Sequence, residues 1–256
     1  SWTPPVAREQ ARTVPETGER IAKRIARSGL CSRRDAEKLI LDGRVRVDGT
    51  VLESPALVVG PEAVVEVDEA PLPALEPTRL VRFHKPTGVL TARRDPAGRS
   101  TIYDQLPRDL DHMMPVGRLD LNSEGLLLLT NDGALKRHLE LPKTGWARRY
   151  RVRVHGRVDE KALAGLKDGA VIDGVRYGRI EATLDRRQGD NAWLTIRLRE
   201  GKNREVRRVM EHLGLEVNRL IRTAYGPFQL GTLARCETAE VTGKVLREQV
   251  GARLPR

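Results

Sequence analysis

The chain has 256 residues, of which 39% are hydrophobic, enough to build a sizeable core in one large domain or two unequal ones. Its 46 lysines and arginines outnumber 35 acidic residues, and the net charge of +11 favours a polyanionic partner such as nucleic acid. No segment is apolar enough to span a bilayer, and the N-terminus lacks an export signal, so a membrane-spanning or exported protein is not expected. A basic protein of the membrane surface is the rival, but no tract supplies the amphipathic helix that it needs.

Prolines mark the limits of the first predicted domain. Residues 1–18 carry three prolines among charged and small residues without an apolar period, which predicts a mobile tail. Three more prolines, at positions 71, 73 and 77, cannot lie inside regular elements, so residues 69–79 are predicted to form a linker. A small domain is therefore expected at 19–68, a larger one at 80–243 and a C-terminal tail at 244–256.

The small domain has the pattern of two helices followed by a hairpin. Apolar residues at helical spacing predict a short basic helix that begins near Ile21. Ser32, with Asp35 three residues later, has the spacing of a capping box, and Gly43 ends the second helix. Valines alternating with arginines then lead into the turn pair Asp48-Gly49, which predicts a strand and a hairpin.

The larger domain mixes strands with helices. Apolar and polar residues alternate over 150–155 and 194–199, which predicts two half-buried strands. Apolar residues at 206, 209, 210 and 213 have helical spacing and are followed by Gly214, a typical helix stop. The segment Asn131-Asp132-Gly133 is predicted to cap a short helix that ends at Pro142. Strands interrupted by helices make the fold α+β.

Residues 20–68 resemble the small α/β RNA-binding domain named after ribosomal protein S-four, with the sequence RIAKRIARSGLCSRRDAEKLILDGRVRVDG from Arg20 to Gly49. Such domains accompany many RNA enzymes, so the resemblance indicates an RNA substrate rather than a reaction. Basic residues outnumber acids here, which favours phosphate contacts over an ordinary solvated charged face. The predicted RNA contacts are Arg24, Arg27, Arg33, Arg34, Lys38, Arg44 and Arg46.

A second resemblance covers the larger domain. The segment GRLDLNSEGLLLLTNDG, Gly117 to Gly133, is similar to the central motif of the bacterial ribosomal RNA pseudouridine synthases that carry this RNA-binding domain. FHKPTG at 83–88, RRYRVRV at 148–154 and EGKNREVRRVM at 200–210 follow the family's order. The segment RRDPAGRSTIYDQLP at 93–107 resembles the type B branch, which acts on large-subunit (23S) ribosomal RNA.

The resemblance spans residues 20–243 and implies a cytoplasmic enzyme of rRNA processing with a mostly antiparallel catalytic sheet and no cofactor. Two positions depart from the family pattern: Ser123 replaces the usual threonine, and Glu205 replaces the usual glutamine. Because Glu205 adds a negative charge near a presumed RNA cleft, its side chain is expected to face away or to pair with a neighbouring arginine.

Pseudouridine formation breaks the carbon–nitrogen glycosidic bond, turns the base and rejoins the sugar to a base carbon, without oxidation or hydrolysis. One ionised carboxylate suffices, because it can attack the anomeric carbon or remove the neighbouring sugar proton, and then act in the return step. The resemblance assigns this role to Asp120, which lies between a Gly-Arg-Leu turn and the apolar run 126–129.

Asp120 needs a basic partner, because burial disfavours the charged form of a carboxylate and a nearby cation restores it. The resemblance implies that Arg207 holds Asp120 bidentately and that Tyr150 stacks on the flipped uracil. Without the resemblance, Arg207 is one of several RNA-facing arginines and Tyr150 an ordinary strand residue. The further RNA-contact candidates are Arg118, Arg208 and Lys85, with a structural role as the alternative for Lys85.

Several other site classes are excluded. Cys31 and Cys236 are too few for a disulfide framework or a four-thiolate zinc site, and a reducing cytosol is expected. The five histidines lack the spacing of a zinc protease and no carboxylate cluster suggests magnesium, so no metal is expected. Ile196 and Leu121 stand where a phosphate-binding loop and a nucleophile elbow require glycine.

Three alternatives to a large-subunit enzyme stay open. The chain can act on small-subunit rRNA, it can be a non-catalytic assembly factor that retains the synthase fold, or it can also regulate messenger RNA. A non-catalytic relative is expected to lose its aspartate or the arginine partner, yet Asp120, Tyr150 and Arg207 are all present. We expect a monomer whose partner is ribosomal RNA or a pre-ribosomal particle, with no membrane.

Overall fold

The structure is a computed structural model that describes residues 18–72 and 76–251. Apart from Gly18, the predicted N-terminal tail lies outside the described residues, as do residues 73–75 and 252–256. The chain divides into two compact units between Pro77 and Thr78. In the described part of the chain, no helix combines the length and apolarity that crossing a membrane requires.

The N-terminal unit contains two helices and a small antiparallel sheet of order β3-β2-β5-β6, with β1 paired to β4. Ile21, Ile25 and Ile40 are fully buried and share one core with the sheet valines. The elements are β1 (Glu19–Arg20), α1 (Ile21–Arg27), α2 (Arg33–Leu41), β2 (Val45–Val47), β3 (Thr50–Val51), β4 (Val58–Val59), β5 (Val65–Val67) and β6 (Ala70–Pro71).

The two predicted helices, the Ser32 cap and the hairpin of this unit are confirmed. The Ser32 hydroxyl caps α2 by accepting a hydrogen bond from the Asp35 backbone N–H at 3.1 Å. Asp48 and Gly49 have φ values of 49° and 82°, the left-handed pair that a tight two-residue hairpin requires. The predicted start of the linker at residue 69 is wrong, because β6 pairs with β5 and extends the sheet.

The C-terminal unit is built on a nine-stranded sheet with the path β13-β14-β10-β15-β9-β7-β17, to which β8 adds beside β9 and β16 beside β15. Only the pairing of β9 with β15 is parallel among the described strands, so the predicted α+β class and mostly antiparallel sheet are confirmed. The strands and helices are β7 (Leu80–Lys85), β8 (Met114–Val116), β9 (Glu124–Thr130), α3 (Gly133–Glu140), β10 (Arg148–His155), α4 (Glu160–Gly165), β11 (Ala170–Ile172), β12 (Val175–Tyr177), β13 (Ile180–Gln188), β14 (Asn191–Leu198), α5 (Glu205–His212), β15 (Glu216–Tyr225), β16 (Phe228–Gln229), β17 (Thr238–Glu240) and α6 (Gly243–Val250).

The central strand β9 is buried along its whole length because apolar clusters cover both of its faces. Leu126 and Leu128 belong to one cluster, and Leu127 and Leu129 to another. The helix α3 that follows begins as predicted, since the Asp132 carboxylate accepts from the Ala134 N–H at 2.9 Å. The buried leucines therefore fix β9, the strand that directly follows the loop with Asp120.

The ends of this unit differ from the prediction. The Arg79 N–H donates to the Asn131 side chain at 2.7 Å, so residues 78 and 79 belong to the folded unit rather than to a linker. Residues 243–250 form α6 instead of a tail, because Leu246 and Val250, four residues apart, pack into the same cluster as Leu126.

Candidate active site

A cleft of about 870 Å³ lies in the C-terminal unit. The segment 117–123 between β8 and β9 lines it, together with the start of β10, the end of β14, the start of α5 and part of β15. Its cationic lining residues are Arg118, Lys136, Arg148, Arg199, Lys202, Arg204, Arg207 and Arg222, and its acidic ones are Asp120, Glu140, Glu200 and Glu205. This excess of positive charge suits an anionic ligand such as a nucleic-acid strand.

Asp120 lies on a short loop whose backbone is fixed from several directions. Gly117 begins the loop with φ of 70°, and its N–H donates to the Glu140 carboxylate at 2.9 Å. The buried Thr91 hydroxyl donates to the Leu119 carbonyl at 2.9 Å and accepts from the Leu119 N–H at 3.2 Å. The Asp120 side chain is 42% exposed and faces the cleft, so a carboxylate open to a ligand stands on a fixed backbone.

Lys85, at the end of β7, is the buried cation beneath this loop. Its side chain is fully buried, and Nζ donates to the carbonyls of Ser123 at 2.7 Å and Pro86 at 2.8 Å and approaches that of Leu121 at 3.5 Å. Burial lowers the pKa of Lys85 to about 8, and the negative charges of Asp120 and Glu124 offset part of this decrease. This burial favours the structural role, the alternative prediction for Lys85, over a contact with RNA.

The predicted bidentate pair between Arg207 and Asp120 does not form. Arg207 Nη2 donates instead to the Asn122 carbonyl at 3.0 Å, which ties α5 to the loop two residues after Asp120. Burial and the charge of Arg204 lower the pKa of the Arg207 guanidinium, while Asp120 acts in the opposite direction. Arg207 thus holds the loop and contributes positive charge near Asp120 without gripping its carboxylate.

The cation nearest to the Asp120 carboxylate is Arg204, with 4.0 Å between Nη1 and Oδ2. Arg204 precedes α5 and has φ of 50°, a left-handed conformation that is uncommon for a residue with a side chain. Sequence analysis missed this residue. Its only signal was its place in the motif at 200–210, because neither spacing nor composition predicts the unusual backbone that points it at Asp120.

Tyr150 is half-buried near the start of β10 and lines the same cleft as Asp120. Its strand neighbours are Ile196 on β14 and Arg222 on β15. Arg118 is exposed and also lines the cleft, whereas the exposed Arg208 is not among the lining residues. The structure thus brings Asp120, Tyr150, Arg207 and Arg118 together and leaves Arg208 and Lys85 outside the open cleft.

Arg222 is a second cleft residue that sequence analysis missed. It is 4% exposed, its Nε donates to the Leu126 carbonyl at 2.8 Å, and its buried Nη2 has no hydrogen-bond partner. Gly125 makes room for this strand, because a Cβ at Gly125 would lie 2.3 Å from the Arg222 carbonyl oxygen. The close parallel contact of β9 and β15 therefore places a guanidinium with an unused donor at the cleft.

Glu205 neither faces away nor pairs with an arginine, so that expectation is wrong. It is 4% exposed, and its Oε1 accepts from the Lys202 N–H at 3.3 Å while Oε2 is buried without a partner. Burial, followed by the neighbouring Glu200 carboxylate, raises the pKa of Glu205 to about 8. This shift favours the protonated, uncharged form of the side chain, which resembles the usual glutamine.

The predicted RNA contacts of the N-terminal unit fall into three groups. Some arginines are already engaged: Arg44 forms a bidentate pair with Asp68 at 2.7 and 2.6 Å, and Arg27 pairs with Glu19 at 3.0 Å. More loosely held are Arg46, 3.9 Å from Glu69, and Arg24, 3.5 Å from the Pro61 carbonyl. The three on α2, all exposed, are Arg33, Arg34 and Lys38.

Comparison with known proteins places the chain in a family. Residues 79–212 match the family described as RNA pseudouridylate synthase, and residues 19–65 match the S4 domain. An uncharacterized RNA pseudouridine synthase of Rickettsia bellii is 47% identical over 229 residues, which cover 90% of this chain and 99% of that relative. Ribosomal large subunit pseudouridine synthase B of Pasteurella multocida is 40% identical over 219 residues, which cover 83% of this chain and 64% of that relative.

A solved structure supports the same assignment. The crystal structure of a pseudouridylate synthase superposes with a TM-score of 0.64 and 25% identity, covering 90% of this chain and 99% of the other. The family match extends over more than half of the chain and includes the loop with Asp120 and most of the cleft. The chain therefore belongs to the RNA pseudouridine synthase family.

Proposed function

We propose that this protein isomerises a uridine of large-subunit ribosomal RNA to pseudouridine and that Asp120 is the catalytic residue. The observation that carries the proposal is the state of the four acids in the cleft. Glu140 accepts from the Gly117 N–H and pairs with Lys136, Glu200 accepts from the Gly178 N–H, and Glu205 is buried. Asp120 is the one whose carboxylate faces the cleft with its nearest cation 4.0 Å away.

The reaction follows from what these groups can do. The Asp120 carboxylate attacks C1′ or removes the C2′ proton, and the C1′–N1 bond breaks with its electron pair leaving on uracil. The cationic lining stabilises this anion, which turns against the face of Tyr150. A C1′–C5 bond then forms as the bond between Asp120 and C1′ breaks, or, in the second route, as Asp120 returns the proton to C2′. The C5 proton is lost and N1 gains a proton, so overall no atom is added or removed.

The substrate assignment rests on two observations. The segment at 93–107 resembles the large-subunit branch, and relatives named ribosomal large subunit pseudouridine synthase B are 38% to 40% identical to this chain. The exposed basic residues Arg33, Arg34 and Lys38 of α2 support a second contact with the same RNA. Both the substrate assignment and the contact through α2 require a large folded RNA.

The test is to incubate the protein with unmodified large-subunit rRNA and to map pseudouridine by carbodiimide modification and primer extension. The D120N variant, which keeps the shape of the side chain, is the matched control. A new stop with the wild type and none with D120N is the expected result and identifies the target uridine.

Product formation by D120N would refute the catalytic role of Asp120. A wild-type stop only on small-subunit RNA, or only on immature particles, would replace the proposed substrate. Absence of a stop on all three would favour a non-catalytic assembly factor.

A further inference from the structure

The strand β10 presents two chemically different faces. Tyr150 lines the cleft, and Val152 and Val154 are fully buried in the core on the same side. Because side chains alternate along a strand, Arg149, Arg151 and Arg153 point to the opposite side of the sheet. These arginines therefore cannot serve the nucleotide that reacts at Asp120.

Strand register brings further arginines to this outer side. Arg149 is directly opposite Arg197 on β14, and Arg153 is directly opposite Arg219 on β15. Like charges in directly opposite positions repel each other and destabilise a sheet. Acids offset much of this cost, since Glu181 lies 3.6 Å from Arg197 and the buried Glu124 accepts a hydrogen bond from Arg219. Among the described residues no ion pair involves Arg149, so the Arg149–Arg197 pair retains an excess of positive charge.

The outer side also has the shape of a shallow groove of about 560 Å³. Residues 229–231 border it beside the sheet. Guanidinium groups and hydroxyls are the side-chain donors that commonly contact phosphate oxygens. The groove is lined by Arg149, Arg151, Arg197 and Thr183, with one acid, Glu181. Thr195 and Thr223 also line it, but their hydroxyls already donate to Asp185 and to the Arg149 carbonyl.

We propose that this surface, the outer arginine face formed by Arg149, Arg151, Arg153 and Arg197, binds the phosphate backbone of the substrate RNA away from the cleft. The proposal rests on the proposed function for the identity of the RNA. Charge complementarity selects the occupant, because the face is rich in donors and the whole chain carries a charge of +11. One part of a large RNA would then bind the outer arginine face while its target uridine enters the cleft on the other side of the sheet.

The experiment compares two double variants that remove the same charge. R149Q/R197Q changes the outer arginine face, whereas K161Q/K167Q removes two exposed lysines of the segment at α4, which packs on the core side of the sheet through Leu163 and Leu166. The dissociation constant for unmodified large-subunit rRNA is measured at several salt concentrations, together with turnover at saturating RNA. Equal thermal midpoints establish that all variants are folded.

We expect R149Q/R197Q to bind RNA several-fold more weakly, with the slope of log affinity against log salt reduced by about 1.4 to 1.8 for two lost phosphate contacts. Turnover at saturating RNA is expected to equal that of the wild type, and K161Q/K167Q to change the slope less. R149K/R197K retains the charge and is expected to keep the wild-type slope.

Equal affinities and slopes for the two double variants would overturn the outer arginine face as an RNA site. That result leaves Asp120-dependent turnover intact, so it does not touch the proposed function. A wild type that binds the RNA but forms no pseudouridine would instead reject the proposed function while the binding comparison still decides the face. No RNA binding by the wild type would reject both.

Discussion

Replacing Glu205 by glutamine tests whether the buried Glu205 carboxyl, at the start of α5, is protonated in the folded protein. The Glu205 carboxyl has one oxygen on the Lys202 N–H and another buried without a donor, beside Glu200. The Glu200 carboxylate is itself held by the Gly178 N–H at 2.6 Å and lies 3.5 Å from Lys202 Nζ. A proton on Glu205 lets it donate to Glu200, and the amide of E205Q supplies that donor permanently.

The effect on stability follows from the pKa of Glu205, which is raised from 4.5 to about 8 in the folded protein. Between these values the folded state holds a proton that the unfolded state has released, so stability falls as pH rises. The loss is at most about 1.4 kcal/mol per pH unit, or about 3 kcal/mol between pH 5 and pH 7. Above pH 8 the folded carboxyl also ionises and the loss levels off.

The assay is urea unfolding of the wild type and E205Q from pH 5 to pH 9. We expect the free energy of unfolding of E205Q to exceed that of the wild type by an amount that grows with pH up to about 8. Titrating groups that do not interact with Glu205 cancel in this difference. E216Q, which neutralises an exposed glutamate on β15, is the control and is expected to show no such growth. A stability difference that is the same at every pH would refute the protonated state of Glu205.

Three further predictions concern other parts of the chain. Lys85→Met removes the donor that two buried carbonyls accept from, and we expect the free energy of unfolding in urea to fall by about 1–3 kcal/mol. We also expect turnover to fall while the affinity for RNA stays unchanged. Turnover equal to that of the wild type would contradict a positioning role for Lys85. Gly125→Ala brings a Cβ against the Arg222 backbone and is expected to lower the thermal midpoint of unfolding sharply. An unchanged midpoint would show that β9 and β15 can move apart at little cost in free energy. R33Q/R34Q is expected to weaken RNA binding and reduce its salt slope, and an unchanged slope would count against α2 as an RNA contact.

The elements that were predicted correctly depend on local rules. The alternation in β10, the Ser32 cap of α2 and the Asp132 cap of α3 are each determined by residues within a few positions of one another. The helix α6 was missed although Leu246 and Val250 have helical spacing, because two apolar residues in a charged segment are a weak signal until the cluster they enter is known.

The site was predictable only where a motif marked it. Asp120 and Tyr150 were expected in one cleft and line the same one. The neighbours of Asp120 were not predictable, because they depend on backbone conformation and on contacts between distant segments. Arg204 approaches Asp120 because its own backbone adopts a left-handed conformation. Arg207 donates to the Asn122 carbonyl, which is 85 positions away in the chain.

These distant contacts explain how an irregular loop can hold the Asp120 carboxylate in a fixed position. The loop's carbonyls face donors from the protein: Lys85 holds Ser123 and Arg207 holds Asn122, while the Thr91 hydroxyl holds Leu119. Because cations satisfy two of these carbonyls, the loop is fixed and the charge beside Asp120 is positive without any cation gripping the carboxylate. A tight bidentate pair would occupy both carboxylate oxygens, whereas support through the backbone leaves an oxygen free, as the proposed role of Asp120 requires.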